Sequence, residues 1–350
     1  MVSSIRYHNL DYLRGLSAAG IMVYHYLTWT IGEFNSEDFM GRVGVYGVSI
    51  FYVLSGLTLY KVYFHNLSSH TSGWMNFFTK RVLRIYPLMI VTILLSAWVM
   101  LDFNCPAYQL FLNLSGMFGF VSWDSGIATG IWSIGNELCF YVLFPVLVFS
   151  ASKGRVWFIS ILAMSLLLYI VFAFSILHTD TIDSQLQKRN YMNPLNQFFL
   201  FAGGFAMGHW CRWVAERWQS VLILVLGLIL FVFIPAEGDR IHLVTGWNRI
   251  WLTLACFLIT IAFYTYTGKV QPHIASILQW LGAISYGMYL LHPLTHHAVG
   301  YVRDHHLFGI PHFSETIRLP LAIMLTLMVS HFSYYYFELP CMNWARSKKN

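Results

Sequence analysis

Ten runs of apolar residues, each at least eighteen long, follow one another along this chain, at about 10–31, 43–64, 85–103, 131–150, 155–177, 195–216, 218–235, 247–267, 274–300 and 317–338. A helix of about twenty such residues spans the roughly 30 Å hydrocarbon core of a bilayer. Inside lipid every backbone polar group must be satisfied, which leaves helices or closed barrels, and barrel strands are about ten residues of alternating character. The expected fold is therefore all-α: a polytopic membrane protein of about ten transmembrane helices. A weaker stretch, 108–121, contains Gly116 and Gly119 and reads as interfacial or re-entrant.

Charged residues make up 10% of the 350, against about 25% in soluble domains. The longest polar connection, near 178–194, is too short for an appended soluble domain, so residues 1–350 are expected to form a single transmembrane domain. No clean cleavage site follows the first run, which contains Arg14 and is read as a retained span. With the N-terminus inside, thirteen of the 21 Lys and Arg fall on the inner face, among them Arg6, Arg212, Lys348 and Lys349. Arg14 lies near that face and seven fall outside. This positive-inside asymmetry places both termini in the cytoplasm. It also accounts for the net charge of +6 without nucleic acid. The five cysteines are scattered with no CxxC pair, implying neither a disulfide framework nor a zinc site.

Within these runs, ionisable residues are expensive and mark sites by default. Arg14 and His25 are eleven residues apart, within about 20° of three full helical turns, so both point to one face of the first helix. The competing reading is that Arg14 snorkels to the interface and His25 bonds neutrally inside the bundle. Glu137, in IWSIGNELCFY, falls six residues into the fourth run, as His25 does from the outer end of the first. That places Trp132, Ser133 and Glu137 near the level of His25, within reach of a direct or water-bridged contact. A packing role for Glu137 stays open.

Arg81 and Arg84 in WMNFFTKRVLRIYP lie at i and i+3 and face the same way, a fork suited to phosphate oxygens. Anchoring to lipid headgroups is the alternative. The ninth run carries Ser285, Tyr286, Tyr289 and His292, with Gly282 and Gly287 permitting close helix contact. His296 and His297 are expected at the interface, without a carboxylate spaced to make a metal site. Ser55-Gly56 in the second run reads as a helix-packing pair. His331 and the aromatic run Tyr334–Tyr336 read as packing or interface belt.

Together LDYLRG with an Arg-x10-His spacing, GVYGVSIFYVLSG, FFTKRVLRIYP, IWSIGNELCFYVLFP and LGAISYGMYLLHP resemble, in order, the acyltransferase-3 family of integral membrane acyltransferases. Two departures are Ile134-Gly135-Asn136, where the family is usually apolar plus acidic, and Tyr52, where a second Phe is common. The resemblance implies a ten-helix enzyme of the bacterial inner membrane. It implies transfer of an acyl group, most often acetyl from acetyl-coenzyme A, to a hydroxyl on a glycan or its lipid-linked precursor. In that scheme His25 is the general base and Glu137 orients it or balances its charge. Arg14 guides the donor, and Arg81 and Arg84 hold its phosphates. Trp132, Ser133, Ser55, Tyr286 and His292 are the candidate substrate contacts, and no metal is expected. A transporter or flippase using the same polar core is the runner-up, weakened by the absence of paired broken helices in matching halves. A binding or sensor protein is the third reading.

Overall fold

The computed structural model describes residues 8–69, 73–179, 184–211, 215–306 and 314–347. Arg6, Arg212, Lys348 and Lys349, four of the basic residues assigned to the inner face, lie outside them. The chain forms α1 (His8–Thr30), α2 (Phe39–Ser69), α3 (Gly73–Leu101), the short α4 (Ala107–Ser115) and α5 (Phe118–Val121), and then α6 (Ile131–Lys153) and α7 (Arg155–Val171). It continues through α8 (Ser184–Met192), α9 (Pro194–Trp210), α10 (Arg217–Phe233), α11 (Gly246–Thr265), α12 (Pro272–Asp304), α13 (Glu315–Ser333) and α14 (Leu339–Ser347). A π turn, Tyr334–Glu338, joins the last two. No strand occurs among the described residues.

Each of the ten apolar runs is mostly helical over its described residues. Seven helical stretches among the described residues are long and apolar enough to cross a membrane, those starting at Phe39, Gly73, Ile131, Arg155, Gly246, Pro272 and Glu315. α1 has 23 residues, but Asn9, Asp11, Arg14 and Ser17 dilute its apolar character. α9 and α10 have 17 residues each, about 26 Å of helix. The third run is longer than its apolar core suggested, because WMNFFTKRVLRIYP continues without a break into it as the 29-residue α3. The 108–121 stretch breaks at Gly116, which is left-handed at φ 74°, and neither α4 nor α5 is long enough to span.

Burial orders the bundle. The apolar windows of α2 and α6 are 67% and 61% buried, against 22% for α7 and 17% for the α13 stretch. The first two are interior, and the last two turn Met164, Leu167, Met324 and Met328 outward.

α1 and α12 run side by side in the same direction. Gly15 and Gly282 make this possible: a Cβ on Gly15 would sit 2.6 Å from the Gly282 nitrogen, and one on Gly282 would sit 2.4 Å from the Asp11 carbonyl. Such small-residue contacts let backbones approach where lipid offers no hydrophobic drive. At the other end the fully buried Tyr26 hydroxyl donates to the His292 carbonyl at 2.8 Å and meets Thr295 and Thr326 at 3.0 and 2.5 Å. These bonds tie α1, α12 and α13 together and fix the rotation of α1 that turns His25 toward α12.

Candidate active site

A cavity of about 90 Å³ opens between α1, α2, α3, α6 and α12. Its walls include Arg14, Ser55, Arg81, Arg84, Ser133, Glu137 and Tyr286, seven of the ten residues singled out from the sequence. Helix spacing puts them there: Arg81 and Arg84 share one face of α3, and Ser133, Glu137 and Tyr141 recur every four residues on α6.

Arginines crowd one end. Arg14 pairs with Asp11 at 2.9 Å and reaches Thr58 at 3.5 Å. Arg81 donates to the Tyr63 hydroxyl at 3.0 Å and lies over the rings of Tyr63 and Tyr141, 5.3 and 5.8 Å from their centroids. Its Nε has no partner, and among the described residues it has no carboxylate. Arg84 touches the Met342 sulfur at 3.4 Å. Glu137 accepts from the Ser55 hydroxyl at 2.9 Å and from the Tyr141 hydroxyl. Ser55 is thus a polar contact rather than a packing residue; its neighbour Gly56 does the packing, with the Phe201 carbonyl 2.0 Å from where its Cβ would be.

Hydroxyls line the opposite end. Ser133 Oγ, the Tyr289 hydroxyl and the Gly130 carbonyl form a triangle with edges of 2.7, 2.9 and 2.9 Å. Two hydroxyl protons are shared among its three edges, and the Gly130 carbonyl can accept from both hydroxyls. Tyr286 donates to the Ile85 carbonyl at 2.7 Å and pins α12 to α3.

One turn beyond Tyr289, outside the cavity wall, His25 and His292 face each other with ring centroids 5.2 Å apart and planes 23° apart. His292 Nδ1 lies 2.8 Å from the Tyr289 carbonyl and 3.2 Å from that of Met288. Carbonyls only accept, so Nδ1 carries the proton and Nε2 keeps its lone pair. That nitrogen is buried with no partner among the described residues.

The expected level for Glu137 is wrong. Ser133 meets Tyr289, α6 runs opposite to α12, and Glu137 lies four residues further toward the arginines. From His292 back to Tyr289 and on to Glu137 is seven residues, roughly 10 Å along the bundle. The carboxylate therefore belongs to the arginine end and does not touch His25. Counting residues from the predicted ends of two spans assumed flush helix ends, which α1 and α6 do not have. Trp132 is likewise outside the cavity, its ring 5.6 Å from that of Tyr191. His296, expected at the interface, is buried against Tyr26 and Trp29. Among the described residues no three His, Cys, Asp or Glu side chains converge as a metal site requires.

Residues 7–335 match the family model Acyl_transf_3, described as an acyltransferase domain. The chain belongs to the acyltransferase-3 family. This acyltransferase is a multi-pass membrane protein, as its apolar helices and its family agree. It is similar to an uncharacterized protein of Haemophilus influenzae, 22% identical over 241 residues that cover 62% of this chain and 97% of that one. No solved structure matches it.

Two residues near the candidate site were not singled out from the sequence. Tyr141 was signalled by its i+4 spacing from Glu137. Glu338 is 5% exposed, accepts from Ser333 at 3.0 Å, and lies where a Cβ on Gly287 would be only 3.2 Å from its Oε1. Its charge acts with that of Arg84 at the arginine end. A carboxylate following YYYF was the available signal.

Proposed function

We propose that this acyltransferase moves an acyl group, acetyl in the simplest case, from acyl-coenzyme A on the inner face to a hydroxyl of a cell-surface glycan or its lipid-linked precursor. In this reading the chain is a single transmembrane domain of the bacterial cytoplasmic membrane, with both termini inside. The observation that carries it is the polarity of the cavity: three arginines at one end, hydroxyls at the other, and a histidine pair one turn beyond.

Arg14 is neutralised by Asp11, and Glu137 and Glu338 offset part of the remaining charge. Arg81, held between two tyrosine rings and without a carboxylate, is then the guanidinium best placed to take a phosphate of the donor, with Arg84 beside it. The pantetheine arm would run along the cavity toward Ser133 and Tyr289. There the acceptor oxygen attacks the thioester carbonyl while His25 takes the hydroxyl proton. The carbon–sulfur bond breaks, and the departing thiolate is protonated by the imidazolium. An imidazole suits this role because its proton exchanges near working pH. Tyr26 and the backbone bonds of His292 hold both rings, so little reorganisation accompanies the transfer.

Purified protein in lipid nanodiscs, given acetyl-coenzyme A and surface glycan, should release free coenzyme A and add an acetyl-sized mass to the glycan. Absence of acceptor-dependent release and of the mass increment would overturn this reading.

A further inference from the structure

Trp29 is 38% exposed, yet its contacts point into the protein. Its ring lies 5.2 Å from His25 and 5.8 Å from His292, at interplanar angles of 23° and 13°. It also meets Tyr26 at 6.0 Å and His296 at 5.1 Å. Tryptophans of an interfacial belt turn their rings to lipid headgroups. Trp29 instead stacks against the two imidazoles, one helical turn beyond His25 on the same face of α1.

Polar groups reach two rings of this cluster, Tyr24 beside His25 and His296 beside Trp29. Arg240 donates to the Tyr24 hydroxyl and to Glu33 at 3.2 Å. Arg318 donates to His296 Nδ1 at 3.3 Å. Because that nitrogen accepts, Nε2 of neutral His296 carries the proton, and neither it nor Arg318 Nε, both buried, has a partner among the described residues. Buried donors left unused are uncommon and call for an acceptor. A partly exposed indole, in a cluster that Arg240, paired with Glu33, reaches through Tyr24 and Arg318 reaches through His296, matches a ring that is apolar on one face and hydroxylated around its rim. The negative face of an indole attracts polarised C–H bonds such as those on a pyranose face.

We infer that the outer face of Trp29 is a saccharide platform, on which a pyranose ring of the acceptor stacks with one hydroxyl directed to the His25–His292 pair. Its purpose rests on the acyl-transfer reading; the binding itself does not.

The test uses the full chain in nanodiscs without acyl-coenzyme A, with methyl glucopyranoside and octyl glucopyranoside (below its micelle concentration) as probes. Saturation-transfer NMR should show contact with the pyranose ring protons. Trp29→Phe should keep that contact. Trp29→Leu and Trp29→Ala should lose it, with Kd rising roughly 3- to 10-fold. Tighter binding of the octyl glycoside, still dependent on residue 29, indicates a lipid-linked sugar; equal binding indicates a free saccharide, and both support the platform. No transfer with the wild-type chain, or equal transfer with Trp29→Leu, overturns it. Coenzyme A release by the wild-type chain, assayed separately, shows whether the acyl-transfer reading stands or fails by itself.

Discussion

Asn136 donates its side-chain amide to the hydroxyl of Tyr52 at 3.2 Å, joining α6 to α2 at the two positions where the motifs depart from their family pattern. Tyr52 in turn lies 3.4 Å from the Ser133 carbonyl. Both side chains are buried, at 3% and 0% exposure, so either polar group alone would be a desolvated liability. Together they offset one another. Gly135, the other change in that stretch, leaves room for α5: a Cβ there would sit 2.6 Å from the Phe118 ring.

This pairing predicts a coupled loss of stability. Tyr52→Phe strands the Asn136 amide and should cost about 1–3 kcal/mol. Tyr52→Phe combined with Asn136→Leu should cost less than the sum of the single changes. A double-mutant cycle on thermal unfolding in detergent checks this, and strictly additive shifts in Tm would show that the two side chains are not coupled.

His25→Ala should leave insertion and folding intact while lowering acyl transfer about 10²-fold or more, the usual range for a general base. The measurement is acceptor-dependent coenzyme A release. A variant retaining most of the activity would remove His25 from the mechanism.

Glu137 should behave independently of His25. Its partners are Ser55 and Tyr141, and roughly 10 Å of helix separates it from the histidine pair. Glu137→Gln should act mainly on the KM for acyl-coenzyme A, and its free-energy effect should add to that of His25→Ala within about 0.5 kcal/mol. A double mutant no worse than the worse single one would place both in one proton-handling unit.

Replacing Arg81 and Arg84 by Lys keeps positive charge at that end of the bundle but loses the planar fork and the contact of Arg81 with the Tyr63 and Tyr141 rings. The expected result is a normally inserted protein with a KM for the donor raised on the order of tenfold and little change in kcat. Unchanged donor kinetics would return both arginines to lipid anchoring.

Much of this protein is a direct consequence of its pattern of apolar residues. Runs of eighteen or more leave the backbone no alternative to helix within lipid, so an all-helical membrane protein could be read without knowing how its helices pack. The i, i+3 and i, i+11 spacings on single helices were equally legible, because each depends only on 3.6 residues per turn. Arg14 and His25 were found in this way, and so was the Arg81–Arg84 face.

What needed the tertiary structure was everything measured between helices. Glu137 and His25 looked level when counted from the ends of their spans, but axial offset is set by contacts such as Ser133 with Tyr289 and Gly15 with Gly282, which no single-helix period encodes. Ser55 resembled a packing residue until α6 brought a carboxylate to it. His296 looked like an interface residue until α1 and α12 met in parallel and its ring converged with those of Tyr26 and Trp29. A helix's own sequence determines which side chains share a face; its neighbours determine what that face touches, because small residues and buried hydroxyls fix rotation and register only once two helices have met.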